Sequence, residues 1–518
     1  MHYRESMLKR LVHAFLAFSF GQAVVILTNI LLVPLYLRVW TPAVYGEWLA
    51  IYSVVMYLSN LDLGMQTYVL NRLTQSYARR DMRDYTEQQH SAVAFYLALA
   101  GGGTVLLAII ASFAPLTRWF NFVYTSAATA RVVFVLLGAQ VLWSLLGIMT
   151  ASVYRTTGRV ATSQWIWNGY RLLSTAVTAL ALIWWRTLPA VAIAQLAVLI
   201  LVNAGIAGDV HWRYPELSPK VAGAKLSVVL QQLRPSILFG LIAVGAALGL
   251  QGSNLVVVGS LGGAALALFA TSRTLVNSIR QLVSICTNVS WTDMTRMEAI
   301  GEHRRLQMAL RLVVIVSTAT CLAIAAPLWF EGGSVIQVWT GHKLVPDVPL
   351  LRVLLVYVIL QTPWTAASLL PLSTNKNRRL AVSYITANAT GIAIAAVLVK
   401  SLGLIGVPIG LICGEAIACY HFVPADACRI VGEPYLRFAA RVWLGLALTA
   451  SVSLFAAWNV HQLTTMPTVL RWLVSGCAST AVVAATTWFG WLPSAERQIL
   501  RAKLVYGWGR IAARTASA

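Results

Sequence analysis

Fourteen stretches of mostly apolar residues recur from one end of the chain to the other, and most of them are long enough to cross a bilayer as a helix. With 58% hydrophobic and 11% charged residues, the sequence predicts an all-α polytopic membrane protein of about 14 transmembrane helices. The first stretch is longer than a secretion signal and a second follows at once, which indicates an uncleaved helix. The predicted spans are 11–37, 42–70, 91–114, 131–152, 163–185, 188–208, 236–258, 264–290, 311–331, 349–372, 380–400, 404–424, 439–458 and 469–491.

The distribution of lysine and arginine predicts how these spans are oriented. With the N-terminus inside, the cytoplasmic segments hold 28 of the 39 basic residues, the outer segments and span ends hold 8, and 3 lie mid-span. This asymmetry follows the positive-inside rule and would be lost if the span count changed by one. We therefore expect both termini to be cytoplasmic.

The longest loop divides the spans into two sets of six. The sequence predicts an N-terminal lobe over 1–208, a cytoplasmic linker over 209–235 and a second lobe over 236–424. An extra helix pair over 439–491 and a basic cytoplasmic tail over 492–518 follow. Two six-helix halves that both begin inside are common in transporters.

A polar stripe runs along one face of the span 264–290. A guanidinium near the bilayer centre costs about 3 kcal/mol or more, so two of them on one face indicate a wet, cationic surface that handles an anion. The spacing of 4, 3, 4 and 4 keeps all members on one helical face. They are Arg273, Asn277, Arg280, Ser284 and Asn288.

The span 163–185 carries a similar stripe around Arg171, which includes Asn168, and the first span adds Asn29. Since Arg171 falls in one half and Arg273 in the other, the sequence predicts a cationic cleft between the halves. A purely structural role for these residues remains an alternative. Asn and Gln inside spans often form hydrogen bonds between helices, and a mid-span arginine often belongs to a structural ion pair.

Two acidic residues lie well inside the apolar spans, Asp62 and Glu415. A carboxylate at that depth either pairs with an arginine, as Asp62 would with Arg171, or exchanges protons. Both residues are therefore candidates for coupling transport to ions.

The net charge of +22 is spread over many short cytoplasmic segments, where topology and anionic lipid headgroups account for it. We therefore expect membrane lipids and no nucleic acid as partners. The six cysteines show no metal-type pairing, and no cofactor or metal is expected.

Short motifs in three places resemble the polysaccharide repeat-unit flippases (O-antigen and exopolysaccharide) of the multidrug/oligosaccharidyl-lipid/polysaccharide (MOP) superfamily, which includes the MATE transporters. The motifs are Tyr45-Gly46-Glu47-Trp48 with Tyr57-Leu58 and Asp62-Leu63-Gly64, then Thr271-Ser272-Arg273-Thr274-Leu275, and Val338-Trp339-Thr340-Gly341.

This resemblance implies a twelve-helix core of two lobes plus two helices, and transfer of a polyprenyl-pyrophosphate-linked oligosaccharide from the cytoplasmic to the outer leaflet. Arg273, with Arg280 and Arg171, would line the cationic cavity. A polysaccharide polymerase and other assembly proteins would be partners. Two other classes remain: a MATE-type cation or drug antiporter, which needs an acidic cavity, and a membrane polymerase or ligase, which usually has a large outer loop.

Overall fold

The computed structural model describes residues 2–299, 301–374, 376–463, 465–494 and 496–498, and this part of the chain contains helices, turns and loops but no strand. The predicted tail lies largely outside the described residues. The α-helices are α1 His2–Val39, α2 Pro42–Met56, α3 Met65–Ala78, α4 Met82–Phe113, α5 Leu116–Trp119, α6 Ala127–Thr156, α7 Val160–Trp184, α8 Leu188–Arg213, α9 Leu226–Ala247, α10 Ser253–Leu261, α11 Gly263–Ala299, α12 His303–Trp339, α13 Val348–Ala367, α14 Leu369–Ser373, α15 Arg378–Leu402, α16 Gly406–Ala418, α17 Phe422–Val431, α18 Tyr435–His461 and α19 Thr468–Thr486.

Each of the fourteen predicted spans falls on helical segments, which confirms the fold class. Among the described residues, ten helical stretches are long and apolar enough to cross a membrane, and one of them, Arg378–Val431, contains two predicted spans. Three predicted spans are not among those stretches: 42–70, 163–185 and 264–290. These three contain Asp62, Arg171 and the Arg273–Arg280 stripe, so polarity is concentrated in a few helices.

The predicted span 42–70 is interrupted in the structure. A 3₁₀ turn at Tyr57–Asp62 follows α2, and Leu63 and Gly64 then adopt positive φ of 48° and 75° before α3 begins. The Asp62 carboxylate caps the new helix by accepting the Gln66 N–H at 3.1 Å. At Gly240, α9 passes so close to the Leu63 backbone that an added Cβ would lie 2.8 Å from it. Asp62 therefore lies at a helix start, where its cap stabilises the break.

The described chain forms two compact units. The first contains residues up to Thr274, Ile336–Pro346 and Tyr384–Gly414, and the second contains Leu275–Val335, Asp347–Ser383 and the chain from Glu415 onward. The first boundary falls within α11, directly after the first arginine of its stripe. The two six-helix lobes inferred from hydropathy remain a prediction.

In the first unit, the segment between α8 and α9 packs along α4. Gln89 donates to the Leu217 carbonyl at 3.0 Å, and Ser91 accepts the Lys225 N–H at 3.0 Å. In this region α8 ends at Arg213 and α9 begins at Leu226. The linker over 209–235 remains a prediction.

In the second unit, a buried carboxylate joins the last helix pair to α12. Glu331, 2% exposed, accepts hydrogen bonds from His461 at the end of α18 at 2.7 Å and from Arg471 at the start of α19 at 3.0 Å. Because a buried carboxylate is costly without such donors, this cluster holds α18 and α19 at one end of α12.

Candidate functional site

The stripe on α11 is half-buried along its length. Arg273, Asn277 and Arg280 are partly accessible, whereas Val276 and Ile279 between them are 2% and 0% exposed. The helix therefore packs its apolar face and leaves its polar face in a less crowded environment. Ser284 is also half-buried, and the side chain of Asn288 lies outside the described residues.

Arg273 is anchored in the first unit on a π turn, Leu248–Gly252, that separates α9 from α10. Its Nη1 donates to the Leu250 carbonyl at 2.9 Å and to Ser253 Oγ at 2.6 Å, and its Nη2 donates to Asn254 Oδ1 at 2.7 Å. A π turn shifts the backbone register, and such turns are frequent at functional sites. The break in the helix thus supplies acceptors that hold the guanidinium in place.

A second layer of contacts fixes these acceptors. Asn254, 5% exposed, donates to Ser53 Oγ at 2.7 Å, and Ser53 donates to the Leu49 carbonyl at 2.7 Å. The guanidinium carbon of Arg273 also lies 5.1 Å from the centroid of the Phe269 ring, within cation–π range. Neutral oxygens and an aromatic face therefore help to position the Arg273 side chain.

Arg280 belongs to a cluster in the second unit. Its guanidinium carbon lies 5.0 Å from the centroid of Tyr357 on α13, and the Tyr357 hydroxyl donates to Glu415 Oε1 at 2.8 Å. Trp364 Nε1 donates to Glu415 Oε2 at 2.9 Å, and Gln361 also donates to Oε1. Glu415 is 3% exposed. The Tyr357 side chain thus contacts both the Arg280 guanidinium and the Glu415 carboxylate.

Two polar atoms of the stripe are buried without a hydrogen bond in the described part of the protein: Arg280 Nε and Asn277 Oδ1. Buried donors and acceptors are nearly always satisfied in native proteins, and leaving one unsatisfied costs about 1–3 kcal/mol. These atoms are therefore positions where water or a ligand would bind.

The other predicted residues lie elsewhere. Asp62 accepts hydrogen bonds from the Tyr96 hydroxyl and from the Gln66 N–H at the start of α3. The ion pairs of the described residues do not include Asp62 with Arg171. Arg171 is exposed on α7, and Asn29 is half-buried on α1. Asn168 is 1% exposed and donates to the Ala17 carbonyl at 2.8 Å, so its amide joins α7 to α1. All four of these residues lie in the first unit, and their roles in binding or coupling remain predictions.

Sequence reasoning missed the donors around Glu415. Tyr357, Gln361 and Trp364 are spaced by 4 and 3 residues, which puts them on one face of α13. A polar and aromatic stripe in an otherwise apolar span was the available signal. Ser253 and Asn254, the first two residues of α10, were missed as well, because the π turn that precedes them has no comparable sequence pattern.

The motif Tyr45-Gly46-Glu47-Trp48 has a packing role. Glu47, 2% exposed, accepts backbone N–H groups of Val123 at 2.7 Å, Tyr124 at 3.0 Å and Thr125 at 2.7 Å. Its carboxylate thus fixes the loop before α6.

The motif around Trp339 is likewise structural, since Trp339 donates to the Ile30 carbonyl at 2.7 Å and Gly341 ends α12 with a φ of +58°.

The helices define a multi-pass membrane protein whose fold is that of MOP-superfamily transporters. One solved structure with this fold is the lipid II flippase MurJ in an inward closed conformation, with a TM-score of 0.70 at 9% identity over 92% of this chain and 98% of that chain. Another is an inward-facing multidrug resistance MATE family transporter, with a TM-score of 0.64 at 16% identity over 81% of this chain and 98% of that chain.

A MOP superfamily transporter from Pyrococcus furiosus, described with a binding pocket of reverse polarity, matches with a TM-score of 0.56 at 16% identity over 82% of this chain and 96% of that chain. No family model and no curated protein sequence matches. At these sequence identities the similarity supports a shared fold and nothing more specific.

Proposed function

We propose that this protein is a flippase that moves a polyprenyl-pyrophosphate-linked oligosaccharide from the cytoplasmic to the outer leaflet of a bacterial inner membrane. One observation carries the proposal: α11 presents two guanidinium groups on one face, and the Nε–H of the second is buried without a hydrogen-bond acceptor in the described part of the chain. An anionic headgroup is the ligand that such a surface favours.

The physics of the substrate agrees with this surface. A pyrophosphate is charged and its sugars are strongly hydrated, so neither crosses hydrocarbon unaided. Arginine offers paired, charge-assisted hydrogen bonds to phosphate oxygens, and Asn277 offers an amide to sugar hydroxyls. Movement of the helices between two conformations then transfers the headgroup without breaking a covalent bond.

A second candidate is exchange of an organic cation for protons, as in MATE-type antiporters. The buried Glu415 carboxylate favours it, because a proton-binding group inside the helices is what such coupling needs. The positive stripe on α11 argues against this antiporter function, because it would repel a cationic substrate. An enzymatic role as polymerase or ligase is less favoured, since only residues 340–347 separate α12 from α13 in the longest predicted outer loop.

The proposal is tested with purified protein in lipid vesicles. The probe is undecaprenyl pyrophosphate carrying a fluorescent disaccharide, and a membrane-impermeant reductant bleaches only the outer leaflet. Complete bleaching with this probe, but not with a fluorescent phosphatidylethanolamine, supports a flippase. Uptake of a cationic dye driven by a pH gradient, with no bleaching beyond that of protein-free vesicles, would instead support the antiporter.

A further inference from the structure

A second cationic site lies in the second unit, away from the α11 stripe. A cavity of about 540 Å³ opens between the N-terminal turn of α15 and one face of α17. Arg378 and Arg379 from α15 and Arg429 from α17 line it, together with one acidic residue, Asp426. Neither the transport proposal nor the resemblance assigns a role to these residues.

The charge of this cavity is only partly balanced. Asp426 Oδ1 lies 2.8 Å from Arg379 Nη1 and 3.6 Å from Arg429 Nη1, so one carboxylate is shared by two guanidinium groups. Both arginine side chains are 64% exposed, and Arg378 is exposed as well. Three cations against one anion leave a net charge of two positive units in the lining, with N–H groups accessible to a ligand.

The rim of the same cavity is apolar. Phe422 and Val382 line it and are 63% and 60% exposed. A large exposed phenylalanine beside arginines is costly in water but suits the boundary where lipid headgroups meet acyl chains. The cavity therefore combines a phosphate-binding surface with a surface for hydrocarbon.

The predicted position of the cavity in the membrane indicates which class of ligand it binds. Its arginines belong to the segments 373–379 and 425–438, which the lysine and arginine count predicts to lie at the cytoplasmic face. Anionic phospholipids are concentrated in that leaflet, and basic pockets between membrane helices bind their headgroups. We infer that this cavity binds the headgroup of an anionic phospholipid, with the three arginines on the phosphate and with Phe422 and Val382 against an acyl chain.

The full-length protein in a neutral detergent, titrated with phosphatidylglycerol and followed by native mass spectrometry, tests this inference. The double variant Arg378→Gln/Arg429→Gln should weaken binding about 25-fold, at roughly fivefold for each arginine. Asp426→Asn should strengthen binding severalfold, because it removes the one negative charge among the described lining residues. The matched control, Arg79→Gln/Arg83→Gln, removes the same charge from exposed cytoplasmic arginines outside the cavity and should bind as wild type.

The variant Phe422→Ala distinguishes binding of a whole phospholipid from binding of phosphate alone. It should weaken phosphatidylglycerol binding while leaving inorganic phosphate binding unchanged. Equal binding by wild type and the Arg378/Arg429 double variant would overturn the inference, and so would an equal loss in the Arg79/Arg83 control. Preferential binding of undecaprenyl pyrophosphate in this cavity would overturn the phospholipid assignment. Since none of these measurements involves transport, their outcome is independent of the proposed function.

Discussion

The guanidinium of Arg280 lies over the Tyr357 ring, with 5.0 Å between its carbon and the ring centroid. The hydroxyl of the same tyrosine donates to Glu415, so one side chain contacts both a fixed cation and a buried carboxylate. Removal of charge from Glu415 would change the field at Arg280, and an anion bound at Arg280 would change the field at Glu415. This arrangement suits a site that must bind an anion and later release it.

Two substitutions separate the contributions of Tyr357. Tyr357→Phe removes the donor to Glu415 but keeps the ring beneath Arg280, and we expect it to cost about 1.5–3 kcal/mol of stability. Tyr357→Leu also removes the cation–π contact, and should cost a further 0.5–2 kcal/mol or so. Thermal unfolding of the purified protein measures both. Equal stability of the two variants would mean that the ring contributes nothing to holding Arg280.

The buried carboxylate predicts a pH effect on transport. If Glu415 takes up and releases a proton, the wild-type rate varies with pH and Glu415→Gln gives a flat profile, because an amide does not titrate there. Transport in vesicles at a series of pH values measures this. Glu302→Gln, which alters a partly exposed carboxylate paired with Arg305, is the control and should keep the wild-type profile. A pH dependence unchanged in Glu415→Gln would make Glu415 a structural partner.

The close approach of α2 to the start of α11 predicts a strict requirement for glycine. A Cβ at Gly46 would lie 1.6 Å from the Gly263 carbonyl oxygen. We expect Gly46→Ala to force the two helices apart and to reduce the yield of folded protein sharply. Gly101→Ala is the matched control, since a Cβ there meets nothing within 4 Å. Normal yield and stability of Gly46→Ala would show that the packing is looser than described.

The charge asymmetry predicts the topology directly. Reporter fusions placed in the predicted outer segments should read outside, and those in the basic segments should read inside. The outer positions are 40, 125, 340 and 463, and the inner positions are 85, 222, 302 and 376. Reversed signals at two or more positions would contradict the orientation with both ends inside.

Apolar length and charge asymmetry were enough to predict the helices, since each span must bury its own backbone hydrogen bonds in the membrane. They did not predict the breaks. The run 42–70 is predicted as one span, and the positive φ of Leu63 and Gly64 and the cap on Gln66 show two helices. The π turn at Leu248–Gly252 likewise interrupts a segment that is predicted as one span.

The cationic stripe could be predicted because arginine inside an apolar span is conspicuous. Its partners could not, because a contact such as Trp364 with Glu415 joins residues 51 positions apart and depends on how helices pack. The spacing of Asn168 predicts a binding role, which remains a prediction, and it gave no sign that the Asn168 amide donates to the Ala17 carbonyl.

If the α11 arginines hold the pyrophosphate, as we propose, their substitution should slow transfer of the lipid-linked sugar. The rate of transfer of fluorescent undecaprenyl-pyrophosphate disaccharide is compared in vesicles for wild type, Arg273→Ala, Arg273→Lys and Arg352→Ala, with each protein at equal, folded amounts. Arg352 is an exposed arginine stacked 5.5 Å from Trp329 and serves as the control. We expect Arg273→Ala to lose transfer and Arg352→Ala to keep the wild-type rate. Arg273→Lys should retain partial transfer, because an ammonium lacks the paired donors of a guanidinium. Transfer by Arg273→Ala at the wild-type rate would contradict the proposal.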